Sequence, residues 1–444
     1  MRFLPILFTG ITMLLSAAEP QPKAFPYAYQ QHDFPNGLRL ITVPTDYPNV
    51  VALYIVVQTG SRNEIEPGKS GFAHFFEHIM FRGTKNTPPD VYEKALKQMG
   101  ASSNASTWDD RTIYHTAFSK EDLELIVRLE ADRFQNLSYP EDVFRTEALA
   151  VLGEYNKSSA DPSEKMNEVL YETAFDKHTY KHTTIGFLKD IEDMPNQYAY
   201  SKTFFDRWYR PEYTTIIVVG DVSEAITKPL VQKYWSQWKH GTYKADIPKE
   251  PAHSKARRNH VEWPTDTLPM IVVAHRNSGY LDDVTDHAAL DLIGQLGFSQ
   301  NSDLYRKLVI EEQIVDSLGF GNFDNVDPNL FQVMARVKKA SDMPRVEKEI
   351  LATLETFRTK PVAAEKLESV KQHFRYEFAL RLNNSEAIAN TLAHYISLRR
   401  TPETINRIFE RYAQVTPAEL QRIARKYFIE NERTTVTLTS KAKQ

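Results

Sequence analysis

The stretch GFAHFFEHIMF, residues 71–81, sets His74, Glu77 and His78 into a run that is otherwise aromatic and aliphatic. Ionisable groups among such neighbours need partners: one another, nearby polar groups, or a bound ion. The spacing predicts a helix over 72–81. His74 and His78 then stand one turn apart on a single face. Two neutral imidazoles so placed can hold one metal ion, and zinc suits nitrogen and oxygen donors in tetrahedral geometry. Glu77 adjoins that face, where its carboxylate can take a proton from a water molecule without filling a ligand position. The other reading is a pair of core histidines satisfied by hydrogen bonds. Two ligands do not make a catalytic zinc site, so a third has to come from elsewhere in the chain.

The chain of 444 residues is long enough for two or three domains. It is 41% hydrophobic and 25% charged, an ordinary composition for proteins with large cores. A net charge of -4 gives no reason to expect nucleic acid or an acidic membrane as partner. The 22 Tyr and 24 Phe read as core material. There is no cysteine, hence no disulfide, thiolate ligand or lipid-anchor thiol. Residues 1–18 read as a secretory signal peptide: Arg2, an apolar stretch from Phe3 to Leu15, then Ser16-Ala17-Ala18 before Glu19. The apolar stretch is too short for a transmembrane span, so no stable membrane insertion is expected. Export to a bacterial periplasm fits best.

Outward from the central stretch, strands are expected at 38–43, 51–61, 112–118 and 214–219. Helices are expected from Pro88 towards Met99 and over 120–136, 141–158, 164–175 (capped by Ser163) and 196–207. The polar segment 237–260 reads as a linker between a first domain (27–236) and a second (261–444). The second domain repeats the plan: strands at 271–279 and 331–337, a helix at 287–298, and two long helical stretches between 342 and 425. FDRWYRPEYTTIIVVG (205–220) is echoed by RKYFIENERTTVTLTS (425–440). The fold class is therefore α+β, with two homologous domains.

His-x-x-Glu-His is the inverted zincin signature, and here it stands at the head of a longer pattern. The sequence resembles the M16, or pitrilysin, family of zinc peptidases, especially the bacterial members of the mitochondrial-processing-peptidase-like branch. The likeness runs from NGLRLITVP through HFFEHIMFRGT into the second half. It implies the M16/LuxS-like metallohydrolase fold, each domain a mainly antiparallel sheet packed against helices. It also implies one zinc per chain and a zinc metalloendopeptidase acting on extended peptides in an enclosed chamber. The third ligand is then Glu154, 76 residues beyond His78, and Glu147, two turns earlier, is the auxiliary glutamate. Glu77 is the water-activating base. GASSNASTWDDRTIYHTAF (100–118) resembles the family's substrate-pairing strand, which makes Asn104 and Ala105 substrate contacts. His115 is expected as a packed strand residue, and His178 and Tyr180 receive no chemical role.

The pattern breaks in the second half. The family places an Arg and a Tyr, seven residues apart, towards the substrate carbonyl, whereas LVIEEQIVD (308–316) has Val309 and Asp316 there. Neither side chain can stabilise an oxyanion. His287 and Asp291 in HAALD are the nearest mimic of the metal motif, lack its glutamate, and read as ordinary helix residues. The resemblance thus implies a zinc-bearing subunit in a heterodimer with a similar M16 chain that carries the Arg/Tyr pair. Alternatives are a homodimer using Tyr305, Arg306 or Gln313 as donors, and a non-catalytic assembly subunit with a vestigial zinc site.

Overall fold

The computed structural model describes residues 23–441, so the expected signal peptide and its cleavage site lie outside the described residues. Six strands form the first sheet: β1 (Gln30–Asp33), β2 (Arg39–Pro44), β3 (Val50–Val57), β4 (Ser102–Thr107), β5 (Thr112–Ser119) and β6 (Thr214–Gly220). Five form the second: β7 (Arg257–Trp263), β8 (Met270–Arg276), β9 (Val315–Asn322), β10 (Leu330–Val337) and β11 (Arg433–Ser440). The orders are β1-β2-β6-β3-β5-β4 and β7-β11-β8-β10-β9. In each sheet the last strand in sequence inserts beside an early one, parallel to β2 or β7 and antiparallel to β3 or β8. All other pairings are antiparallel. Apart from β1, the two sheets share one topology, and β6 and β11 lie in the two echoed segments. The chain is a two-domain α+β protein, as expected.

Between the strands of the first half lie α1 (Phe72–Ile79), α2 (Pro89–Met99), α3 (Leu123–Asn136), α4 (Glu141–Ser158), α5 (Pro162–Ala174), α6 (Leu188–Asp193), α7 (Tyr198–Trp208) and α8 (Glu224–Trp235). The second half adds α9 (Asp286–Phe298) and α10 (Asp303–Tyr305), which runs on as a π-helix over Arg306–Glu311. It then adds α11 (Met343–Thr359), α12 (Ala364–Arg381), α13 (Ser385–Arg399), α14 (Glu403–Gln414) and α15 (Pro417–Tyr427).

β3 (VVALYIVV) and β6 (TTIIVVG) are rich in β-branched residues and buried almost throughout. Such runs belong to strands covered on both faces. One face of the first sheet, with Leu53 and Ile55, packs on α1, α3, α4, α7 and α8 through Phe76, Phe134, Val151, Phe204 and Trp235. The other face, with Ala52, Val56 and Val219, packs on α13 of the second half through Ile388, Leu392 and Ile396. The second sheet is treated reciprocally. Met166, Leu170 and Tyr171 of α5, from the first half, cover Val272, Val436 and Leu438. Each half therefore lends one helix to the other.

Several local expectations change. The strand expected over 51–61 stops at Val57, and a 3-10 turn occupies Ser61–Asn63. The cap of α5 is Asp161, whose carboxylate accepts the Ser163 N–H; Pro162 takes the first helical position, where its missing N–H costs nothing. β7 begins at Arg257, inside the polar stretch 237–260; its Arg258, Asn259 and His260 side chains are exposed at the sheet's edge and read like a linker. The two helical stretches of 342–425 are five helices, interrupted around Pro361, at Leu382–Asn384, at Arg400 with φ 55, and at Val415–Thr416. β9, with two glycines and no clear alternation, carried no strand signal.

Candidate metal centre

Helix α1 starts at a fixed point. Gly71 has φ 91, and a Cβ there would lie 2.7 Å from the Ile185 carbonyl oxygen, so only glycine fits. The Glu64 carboxylate accepts the Gly71 and Ala73 N–H groups at 2.7 and 2.6 Å, satisfying the helix's first free donors. Phe72, Phe75, Phe76 and Ile79 are buried in the core. His74, Glu77 and His78 are thereby presented on the other side of the helix.

α4 supplies the remaining acids. His74 Nε2 lies 3.4 Å from Glu154 Oε2, and His78 Nε2 lies 3.6 Å from the same oxygen. A tetrahedral zinc with bonds of about 2.0–2.1 Å holds its ligand atoms roughly 3.4 Å apart. The three side chains fit one cation between them, and they form a single cluster of possible ligand atoms. Burial, and then the neighbouring His78, hold the His74 pKa down at about 4, so its imidazole is neutral and free to bind a cation at pH 7. Glu147 is buried behind the ligands. Its Oε1 pairs with Arg82, 2.7 Å from Nε, and its Oε2 is 3.8 Å from His78 Nδ1.

Glu77 points towards the same space. Its Oε2 accepts the Thr107 hydroxyl at 2.6 Å. Burial raises its pKa and that hydrogen bond opposes the rise. Beside it opens a cavity of about 410 Å3, lined by Glu77, His78, Phe81, Arg82, Tyr92 and Glu147 among others. Asn104 and Ala105 lie on β4, which among the described residues pairs only with β5 and so forms one open edge of the first sheet. Asn104 is exposed, and its Oδ1 accepts the Ala105 N–H at 2.9 Å, while the Ala105 methyl enters the core. An open edge of this kind presents backbone groups that an extended peptide can pair with.

Two models of one peptidase family match the chain and together span most of it. Residues 39–186 match insulinase (peptidase family M16), and residues 197–374 match the peptidase M16 inactive domain. The chain belongs to the M16 peptidase family. It is 28% identical over 417 residues to zinc protease PqqE of Helicobacter pylori, covering 91% of each chain. It is 23% identical over 406 residues to a probable mitochondrial-processing peptidase subunit beta of Schizosaccharomyces pombe, covering 88% of this chain and 86% of that one. The crystal structure of a protease from Helicobacter pylori superposes with a TM-score of 0.86 at 28% identity, covering 93% of this chain and 99% of that one. This M16 chain is thus related both to bacterial zinc proteases and to the processing-peptidase branch.

The M16 second half holds a feature that the sequence did not disclose. His287 and Asp291 are not ordinary helix residues. His287 Nε2 lies 2.5 Å from Asp324 Oδ1, and the other Asp324 oxygen is 2.8 Å from His394 Nε2. Asp291 accepts from the Tyr412 hydroxyl at 2.6 Å and from Asn322 Nδ2 at 2.8 Å. Burial opposes the charge on His287, yet Asp291 and Asp324 outweigh it and lift the pKa to about 9. The strong local sign was a lone His in an apolar helix; its acid lies in another element, 37 residues on.

Other expectations find their places. The His115 ring stacks on Tyr54 at 4.8 Å, as a packed strand residue. His178 Nε2 contacts Asp327 Oδ2 at 3.1 Å, and the Tyr180 hydroxyl donates to Asp110 Oδ1 at 2.7 Å and accepts the Asp327 N–H at 3.3 Å, so both tie the halves together. Val309 packs against the second core, and Asp316 pairs with Arg336. Arg306 faces Asp303 and Glu311. Among the described residues, no helix is long and apolar enough to cross a membrane.

Proposed function

We propose that the protein is a zinc metalloendopeptidase that hydrolyses extended peptides in an enclosed chamber, with one zinc held by His74, His78 and Glu154. The observation that carries this reading is the convergence of two imidazole nitrogens on one carboxylate oxygen at 3.4 and 3.6 Å, with a half-buried carboxylate beside them. Bound zinc would polarise a water molecule and the scissile carbonyl. Glu77 takes the proton from that water and returns it to the leaving amine. Glu147 steadies His78 from behind, with Arg82 balancing its charge. Asn104 and Ala105, on the β4 edge, align the peptide backbone. Zinc analysis of purified protein should give about one ion per chain. Glu77→Gln should keep the zinc and lower kcat by roughly 100-fold or more; a protein that is active without zinc would refute the assignment.

The site of action proposed is the periplasm, on the strength of residues 1–18, and N-terminal sequencing of exported protein should begin near Glu19. Val309 and Asp316 leave the acyl-transfer step short of donors, and Asp316 already pairs with Arg336. The proposed remedy is a heterodimer, in which a similar M16 chain contributes the Arg/Tyr pair. Each such donor is worth about 3 kcal/mol in the transition state. The isolated chain should therefore bind zinc but cleave peptides at least ~100-fold more slowly than the mixed pair. Full activity of a homodimer would remove the need for the partner.

A further inference from the structure

Glu77 has three rotatable side-chain bonds and stands beside a cluster built to attract a cation. A carboxylate so placed has two destinations: the water that it must deprotonate, or the cation itself. Nothing among the ligands decides between them. Among the described residues, the hydrogen bonds to its carboxylate come from the last residue of β4: the Thr107 hydroxyl at 2.6 Å, with the Thr107 N–H facing the same group.

Thr107 is itself held firmly for a residue on an edge strand. It pairs with Thr112 of β5. The turn that follows closes through Trp108 N–H to Arg111 O at 2.8 Å. That turn is fastened to the second half at several points. Asp110 accepts from Asn325 Nδ2 and from the Val326 N–H at 2.9 and 3.0 Å, and Arg111 Nη2 meets His394 Nδ1 at 3.1 Å. The Asp109 carbonyl accepts the Arg62 N–H at 2.8 Å. Edge strands ordinarily fray, because half of their backbone groups lack partners. This one ends in a buried polar joint, so the hydroxyl is a stationary donor.

We infer that Thr107 is a positioning residue: it holds Glu77 out of the metal's coordination sphere and keeps the carboxylate aimed at the attacking water. The inference rests on the proposed metallopeptidase reading and deepens it. Three ligands leave a fourth position open, and a free carboxylate would compete for it. One charge-assisted hydrogen bond from a fixed hydroxyl opposes that competition and also restricts the side chain's rotation. The base therefore stays available as a base.

The test uses the full chain with Co2+ in place of zinc, because the visible absorption of Co2+ reports ligand number and type. Thr107→Val keeps the shape and removes the donor. It should bind one Co2+ per chain, show an altered visible spectrum as Glu77 joins the ion, and lose ~10- to 100-fold in kcat on the zinc form with KM within about twofold. Thr107→Ser restores the hydroxyl and should recover both spectrum and kcat. In a Glu77→Gln background, Thr107→Val should leave the spectrum unchanged. Thr107→Ala serves the same comparison should the valine variant not fold. An unchanged spectrum or an unchanged kcat in the hydroxyl-free variant overturns the inference. A wild-type chain that binds neither Co2+ nor zinc overturns the metallopeptidase reading instead.

Discussion

Helices α1 and α9 occupy matching places in the two halves. Each follows the strand that pairs with the inserted one, and each packs beside its sheet's edge strand. His74 and His78 on α1 have the same spacing as His287 and Asp291 on α9. Glu154 and Glu377 each stand fourteenth in an eighteen-residue helix, α4 and α12. Glu377 and Asp291 line a cavity of about 280 Å3 in the second half. The first half gathers two imidazoles and one carboxylate, with His74 held neutral. In the second half two carboxylates, Asp291 and Asp324, face His287, so that imidazole takes a proton and becomes the cation itself. One set of side chains leaves room for an ion between them; the other already contains a cation.

The most severe way to break this comparison is to give α1 the acid of α9. His78→Asp shortens the side chain and removes a nitrogen ligand. Zinc content should fall far below one per chain and peptidase activity by ~1000-fold or more, measured by elemental analysis and a peptide assay. Next in size is Asp324→Asn, which leaves His287 buried with less compensation. It should destabilise the fold by ~3 kcal/mol in chemical denaturation while zinc content stays unchanged.

A pH series sharpens the contrast further. The His287 pKa is raised from 6.5 to about 9 in the folded chain. Its pairing therefore stabilises the fold fully below the unfolded value of about 6.5, and that contribution is lost as pH rises through about 9. Zinc-free protein should lose at most ~3 kcal/mol across that window, and His287→Gln should flatten the curve. A wild-type curve that is flat from pH 6.5 to 9 would show that His287 is not a buried cation.

Much of the candidate metal centre was legible because its parts are local. Two histidines four residues apart and two glutamates seven apart each lie on one helix, where spacing dictates a shared face. The joint that anchors Thr107 was not. Asp110 meets Asn325 across 215 residues and Arg111 meets His394 across 283. No local period marks such pairs. The sheets were legible as β-branched runs in β3, β6 and β8 and as the apolar alternation of Phe331, Val333, Ala335 and Val337 in β10, and were lost in β9, whose glycines and exposed polar residues resemble a loop. The five helices α11 to α15 merged into two because their breaks are short. The exchange of α5 and α13 was hidden for another reason: an apolar helix face says that it is buried, but not against which sheet.

That exchange has a consequence for synthesis. β6 completes the first sheet at Gly220, but α13, which covers one of its faces, ends at Arg399. A ribosome adding 5–20 residues per second leaves roughly 10–40 s between the two. Throughout that interval the nascent chain carries a finished sheet with Ile41, Val43, Ala52, Val56, Ile217 and Val219 uncovered. Release at residue 260 would produce an adhesive fragment rather than a small working enzyme. The first half, although it contains every proposed zinc ligand, lacks the cover for one face of its sheet until the second half arrives.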